Sequence, residues 1–333
     1  MSWLNRFAWL TAVATLLLIC SGGMVTSKGV GLAVPDWPTT FGYNMFFFPF
    51  SKWIGGIFFE HTHRLIASTV GLLTIILAVW LWLVDPRRWV RMLGVAAVAA
   101  VILQGVLGGL RVTTLKDEIG IFHACLAQAF FGLIVVIALV TSRAWQRRFA
   151  QRSGCSKTCR VLALTTTAFI YLQLALGATM RHQHRDLAIT DFPTAYGQWI
   201  PDTSPAAIAK INAARDTTAM SDVSAAQIWL QMAHRFGAVL VAIGVIWFFL
   251  SAQREKISPL CGLSTAWLIG IVVQLALGAW TIWSNKAADV ATAHVAVGAT
   301  MLGLGVVICA FCLRQNETLP AFSYRLKSDP AIA

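Results

Sequence analysis

Eight stretches of about 20 mostly apolar residues punctuate the chain, at roughly 7–26, 60–84, 92–112, 120–142, 161–181, 227–251, 260–283 and 291–313. As a helix, each is long enough to cross a hydrocarbon core about 30 Å thick. Lipid offers no partner to backbone N–H and C=O groups, so a crossing segment must close its own hydrogen bonds. The sequence therefore predicts an all-α integral membrane protein with eight transmembrane helices. Composition agrees: 12% of the residues are charged, where a soluble domain carries about 25%. The first run has one Arg near its start and no convincing small-residue cleavage pattern. It is expected to stay as a helix and not to be removed as a signal peptide.

A formal net charge of +12 raises the question of nucleic acid, and the distribution of charge answers it. Segments 1–6, 85–91, 143–160, 252–259 and the tail from 314 hold 15 of the 26 Lys and Arg. They lie on one side of the predicted membrane. This is the positive-inside pattern, which places both termini and the tail 321–333 in the cytoplasm. The basic stretch 143–160 is read as a topology determinant that touches anionic lipid, so the bilayer, not nucleic acid, is the partner implied. Of seven cysteines, Cys155 and Cys159 fall in that cytoplasmic segment, where thiols stay reduced. Cys309 and Cys312 form a CxxC with no His or further Cys nearby in sequence, a weak basis for metal or redox chemistry.

The chain contains a copy of itself. "VTSKGVGLAVPDWPTTFG" (25–42) aligns with "MRHQHRDLAITDFPTAYG" (180–197) at an offset of 155, pairing Asp36 with Asp191, Pro38 with Pro193 and Gly42 with Gly197. "HTHRLIAS" (61–68) aligns with "MAHRFGAV" (232–239) at an offset of 171, and the residues around His123 align with those around His294 at the same offset. Two tandem four-helix bundles follow, 1–150 and 155–320. Four crossings return the chain to the side it left, so this is a parallel repeat about an axis along the membrane normal. The second loop runs on through 198–226, a polar stretch expected to be mobile.

The duplication carries His63, His123, His234 and His294, each a few residues inside the same end of the second, fourth, sixth and eighth helices. A single such His is compatible with snorkelling or a local hydrogen bond. Four at matching depth fit another role, because facing imidazoles in a four-helix bundle can hold a haem iron from both sides. The pairs would be His63 with His123 and His234 with His294. Zinc or copper sites want three or four ligands close together, and each half offers two. Gly105, Gly108, Gly109 and Gly278 permit close approach by a flat macrocycle or equally by a neighbouring helix. Arg64 and Arg235, each directly after a site histidine, would reach a haem propionate or lipid phosphate. His61, two residues from His63, points to a different helix face, and His182 and His184, in the loop after the fifth helix, are expected to be solvated or near a propionate, not ligands.

The halves differ at one acid. Glu60 precedes His63 by three residues and shares its helix face, whereas the repeat puts Gln231 before His234. Glu60 is either an ion-pair partner of Arg64 four residues on, or a catalytic acid present at the first site only. The Asp36-Trp37-Pro38 and Asp191-Phe192-Pro193 loops must be extended before proline. Their aromatics would lid the pockets or anchor at the interface. "NMFFFPFSKWIGG" (44–56) is expected along the membrane surface.

"GLAVPDWPTTFG", the "EHTHR" box with its leading Glu60, and one further His per half make residues 8–313 resemble the haem A synthase family. The resemblance implies a bacterial inner-membrane oxidoreductase that converts haem O to haem A by stepwise oxidation of a ring methyl to formyl. Haem O would bind at His63 and His123, with Arg64 and Glu60 beside it, and a haem b cofactor at His234 and His294, with Arg235. Protohaem farnesyltransferase would supply the substrate, and haem-copper oxidase assembly would consume the product. One departure is plain: 27–59 and 182–226 lack the cysteine pairs of some family members, so a disulfide relay has no place here. The rival readings are a quinol-linked di-haem electron carrier and a haem carrier or assembly chaperone without chemistry.

Overall fold

The computed structural model describes residues 3–143, 145, 155–183 and 187–313. The basic stretch 146–154, His184 and the tail from 314 lie outside them. Eight helices are long and apolar enough to cross a membrane: α1 Trp3–Ser27, α2 Gly55–Val84, α3 Arg88–Thr114, α4 Asp117–Val140, α5 Lys157–Gln183, α7 Ala225–Glu255, α8 Ser258–Trp283 and α9 Ala288–Leu313. A ninth and shorter one, α6, spans Pro205–Asp216. Each apolar run predicts its helix, and the helices extend up to five residues beyond the runs because backbone hydrogen bonding continues into the polar flanks.

Packing groups the crossing helices in two sets. In the first, α1 contacts α2 and α4, and α3 contacts α2 and α4, which closes a ring of four. In the second, α5 contacts α7 and α9, and α8 contacts α7 and α9. The seam between the sets is built by α1 with α9, α4 with α5 and α4 with α9. Small residues allow that approach: Gly303 of α9 faces Phe131 of α4 so closely that a Cβ there would lie 2.9 Å from its ring.

The insertion is not mobile but folded. Ser204 accepts a hydrogen bond from the Ala207 amide and Pro205 opens α6, both standard helix-start devices. Arg215, at the end of α6, is buried and donates to Leu187 O at 3.0 Å and to Ser221 O at 2.6 Å. Val223, Ile228 and Met232 form an apolar cluster with Ala188, Ile189 and Ala195 beneath the repeated loop.

The CxxC is not isolated either. Cys155, Cys159, Cys309 and Cys312 belong to one buried cluster, with the Cys155 thiol 3.5 Å from Cys312 O. Residues 155–159 and 309–312 are far apart in sequence, and only the α5–α9 contact brings them together.

Candidate functional site

The two repeated loops fold alike. Thr40–Tyr43 and Ala195–Gln198 each close as a two-residue hairpin turn, with positive φ at Phe41 and Gly42 in the first and at Tyr196 and Gly197 in the second. The aspartates brace these turns. Asp36 accepts from the amides of Phe41 at 2.7 Å and Gly42 at 2.9 Å and from the Thr39 hydroxyl. Asp191 accepts from Tyr196 at 2.7 Å, Gly197 at 3.0 Å and the Thr194 hydroxyl. Burial works against the charge on each, but these donors outweigh it and hold both carboxyls below the usual carboxylate range. Trp37-Pro38 and Phe192-Pro193 are both cis.

Each loop is fastened to the helix that carries a site histidine. The Arg64 Nη atoms donate to Asp36 O (2.7 Å), Thr39 O (3.0 Å), Val34 O (2.9 Å) and the Glu60 carboxylate (2.8 Å). Those of Arg235 donate to Thr194 O at 2.8 Å and Asp191 O at 2.6 Å. Glu60, which is buried, also accepts from Val34 N at 2.8 Å. Gln231 takes the same place in the second half, pairing its amide with both N and O of Ile189 at 2.9 Å each. The arginines that follow the histidines thus bind loop carbonyls. The ion pair expected between Glu60 and Arg64 is present.

All four histidines are seated in the same manner. An ideal Cβ on Gly22, Gly108, Gly177 or Gly278 would lie 3.0, 3.3, 3.3 or 3.2 Å from Cε1 of His63, His123, His234 or His294 respectively. Each ring therefore lays one edge on the backbone of a neighbouring helix. These glycines admit the imidazole of a neighbouring helix. Gly109 takes the Trp37 indole, while a Cβ on Gly105 would meet nothing within 4 Å. Gln104 and Gln173, one turn before Gly108 and Gly177, donate to the carbonyls of His123 (3.1 Å) and His234 (2.7 Å). Gln274 instead lies 3.5 Å from His294 Nε2. The Q-x-x-x-G spacing, visible in the sequence, marks three of the four seats (Leu18 precedes Gly22), but without the fold it reads as ordinary helix packing.

The seats orient the rings. Nδ1 of all four is buried with no hydrogen-bond partner. Nε2 of His63, His123 and His234 is not among these sealed, unpaired atoms, and that of His294 faces Gln274. Sealing a ring nitrogen costs free energy, and a strong bond at the other nitrogen offsets it. His234 and His294 face one another with ring centroids 6.4 Å apart. Two imidazoles bound to one metal at about 2.0 Å, with a ring radius of about 1.1 Å, would have centroids about 6.2 Å apart. His63 and His123 lie within electrostatic reach of each other. No group of three or more His, Cys, Asp or Glu suited to a metal ion occurs among the described residues. The residues present fit a group whose metal needs two axial imidazoles.

Neither His61 nor His182 takes one of the four glycine seats. His61 is fully buried between Phe48 and Trp53, at ring distances of 5.0 and 4.8 Å, with Nδ1 3.2 Å from the Thr40 hydroxyl. It is a packing residue under the loop, not a solvated one. His182 is wedged over Gly120 of α4. Phe46, Phe47 and Phe50 are exposed, at 65–81% of their surface, in the segment expected along the membrane surface.

Fold and site together define a multi-pass helical membrane protein with two inward-seated imidazole pairs and an unequal acid. Residues 5–306 match the family model described as cytochrome oxidase assembly protein. Relatives named "Heme A synthase" include one from Shouchella clausii, 27% identical over 294 residues (85% of this chain, 88% of the relative). Another, from Shewanella oneidensis, is 25% identical and covers 96% of this chain and 98% of its own length. A third, from Halalkalibacterium halodurans, is 30% identical over 60% of this chain and 66% of the relative. The chain belongs to the haem A synthase family and is an enzyme of that family.

Proposed function

We propose that the chain converts haem O to haem A in a bacterial inner membrane, oxidising one ring methyl stepwise to formyl. In this reading both termini are cytoplasmic and the two four-helix sets, 1–150 and 155–320, are parallel repeats with the sites near the opposite face. His63 and His123 hold the substrate; His234 and His294 hold haem b. The observation that carries it is the pairing of four identically seated imidazoles with an acid retained at one pair only.

Haem b, when bound, supplies one-electron transfer. The chain's own work is positional. Glycine seats fix the imidazole planes, and the repeated loops close over the pockets through Arg64 and Arg235. Trp37 on Gly109 covers the first, and Phe192, edge-on to Trp283 at 5.9 Å, covers the second. Glu60, one helical turn from His63, is the proton acceptor when the alcohol formed at the methyl carbon is oxidised further. Protohaem farnesyltransferase supplies the substrate and haem-copper oxidase assembly takes the product.

One observation favours the electron-carrier alternative: Glu60 docks its loop much as Gln231 does, a structural duty that needs no chemistry. The deciding experiment is mass analysis of haems bound to purified wild type, His63→Ala and His234→Ala, expressed with a source of haem O. Loss of haem O and A with haem b retained in His63→Ala, and the reverse in His234→Ala, is expected. Haem b alone in wild type would sink the synthase reading.

A further inference from the structure

We infer that Arg111 and Arg181 are the carboxylate-binding residues of the two imidazole sites, one guanidinium for each, and that His182 completes the first. The inference rests on both sites holding a macrocycle that bears acidic side chains.

The arginines adjacent to the histidines in sequence are engaged by loop carbonyls. Arg111 and Arg181 are placed differently. Arg111 follows Gly108, the seat of His123, by three residues on α3, and Arg181 follows Gly177, the seat of His234, by four on α5. Those spacings keep each arginine on the face of its helix that meets the histidine. Arg111 is within electrostatic reach of His63 and His123, and Arg181 of His294.

Neither has a carboxylate within 4 Å among the described residues, where the two ion pairs are Arg64–Glu60 and Arg87–Asp85. Glu60 and Asp117 act on Arg111 only from farther away. Among the described residues, the contacts leave much of each fork open. Arg111 donates from Nη1 to Gly31 O at 3.5 Å, the limit of a hydrogen bond. Arg181 donates from Nη2 to Gly23 O at 2.7 Å and Ser27 Oγ at 2.6 Å. A cation at the end of a membrane helix without an ion-pair partner is costly. A carboxylate on the guanidinium fork is the partner that suits it, because the two match in plane and spacing.

His182 enters the first pocket from the second half of the chain. A Cβ on Gly120 would lie 2.7 Å from its Cε1 and Nδ1 and 2.9 Å from Arg111 Nε. Gly120 precedes His123 by three residues, so imidazole and guanidinium meet over the face of α4 that carries the site histidine. The repeat hides all three groups, since the residues equivalent to Arg111, Arg181 and His182 are Thr281, Thr26 and Ser27.

The test is resonance Raman spectroscopy of purified, pigment-loaded Arg111→Lys, Arg181→Lys and the double variant, read at the propionate-bending vibration. Lysine keeps the charge and the fold but loses the fork. Each single variant should shift part of the band, and the double variant all of it. Arg111→Met and Arg181→Met should each release one pigment about tenfold faster to apomyoglobin, the scale of one lost charge-assisted hydrogen bond. An unshifted band in both lysine variants, with release unchanged in both methionine variants, would overturn the assignment. A wild-type preparation without low-spin pigment would instead refute the site reading beneath it.

Discussion

Glu60 and Gln231 hold equivalent loop residues with different chemistry. Gln231 satisfies both N and O of Ile189, whereas Glu60 takes Val34 N and leaves Val34 O to Arg64. Glu60→Gln should therefore keep the loop docked, with stability within about 1 kcal/mol of wild type, while formyl-haem production falls about a hundredfold or more. Thermal melts and chromatography of extracted haems measure the two quantities. Loss of both together would mean that the charge is structural. The glycine seats give a second prediction. Gly22→Ala puts a methyl 3.0 Å from His63 Cε1 and should change the electron paramagnetic resonance g values of the first-site low-spin signal alone. Gly105→Ala, which meets nothing within 4 Å, should leave the spectrum unchanged.

The loops act as elements, each a brace of aspartate and turn held down by one arginine. Arg64→Met strips donors from Val34, Asp36 and Thr39 carbonyls, at about 1–3 kcal/mol for each group left buried and unpaired. Arg235→Met should cost less, because Gln231 still holds Ile189 on both sides. Limited proteolysis within 35–43 against 190–198, alongside thermal melts, compares them; equal sensitivity would contradict the asymmetry. The braces also set an acid limit. Both aspartates have folded-state pKa values below their unfolded ones, so their stabilising contribution is complete above about pH 4. It is lost as pH falls through the lower folded values. Asp36→Asn with Asp191→Asn should flatten the fall in melting temperature as pH drops below about 4.

At the scale of the molecule, the two helix sets meet through α4 and α9, the most buried of the crossing helices. Halves expressed separately, split within 146–154, should co-purify, since the seam needs no covalent link between them. Gly303→Leu, which drives a side chain into Phe131, should abolish co-purification; a retained complex would show that α1–α9 and α4–α5 contacts suffice.

Hydropathy, charge asymmetry and internal repetition are properties of a linear string. They determined the eight helices, because lipid forces each crossing to be locally self-satisfied, and they marked the four repeated histidines and the single acid at Glu60. What the tertiary structure decided depends on which helix ends meet. It turned Arg64 and Arg235 toward loop carbonyls, gave each imidazole a glycine on another helix, and set Arg111, Arg181 and His182 where no repeat or motif marks them. It also folded 205–216 onto the second loop and gathered four cysteines that the sequence keeps about 150 residues apart. Hydrogen-bond and charge partners reached across bundles are fixed by packing, and packing leaves no period in the sequence.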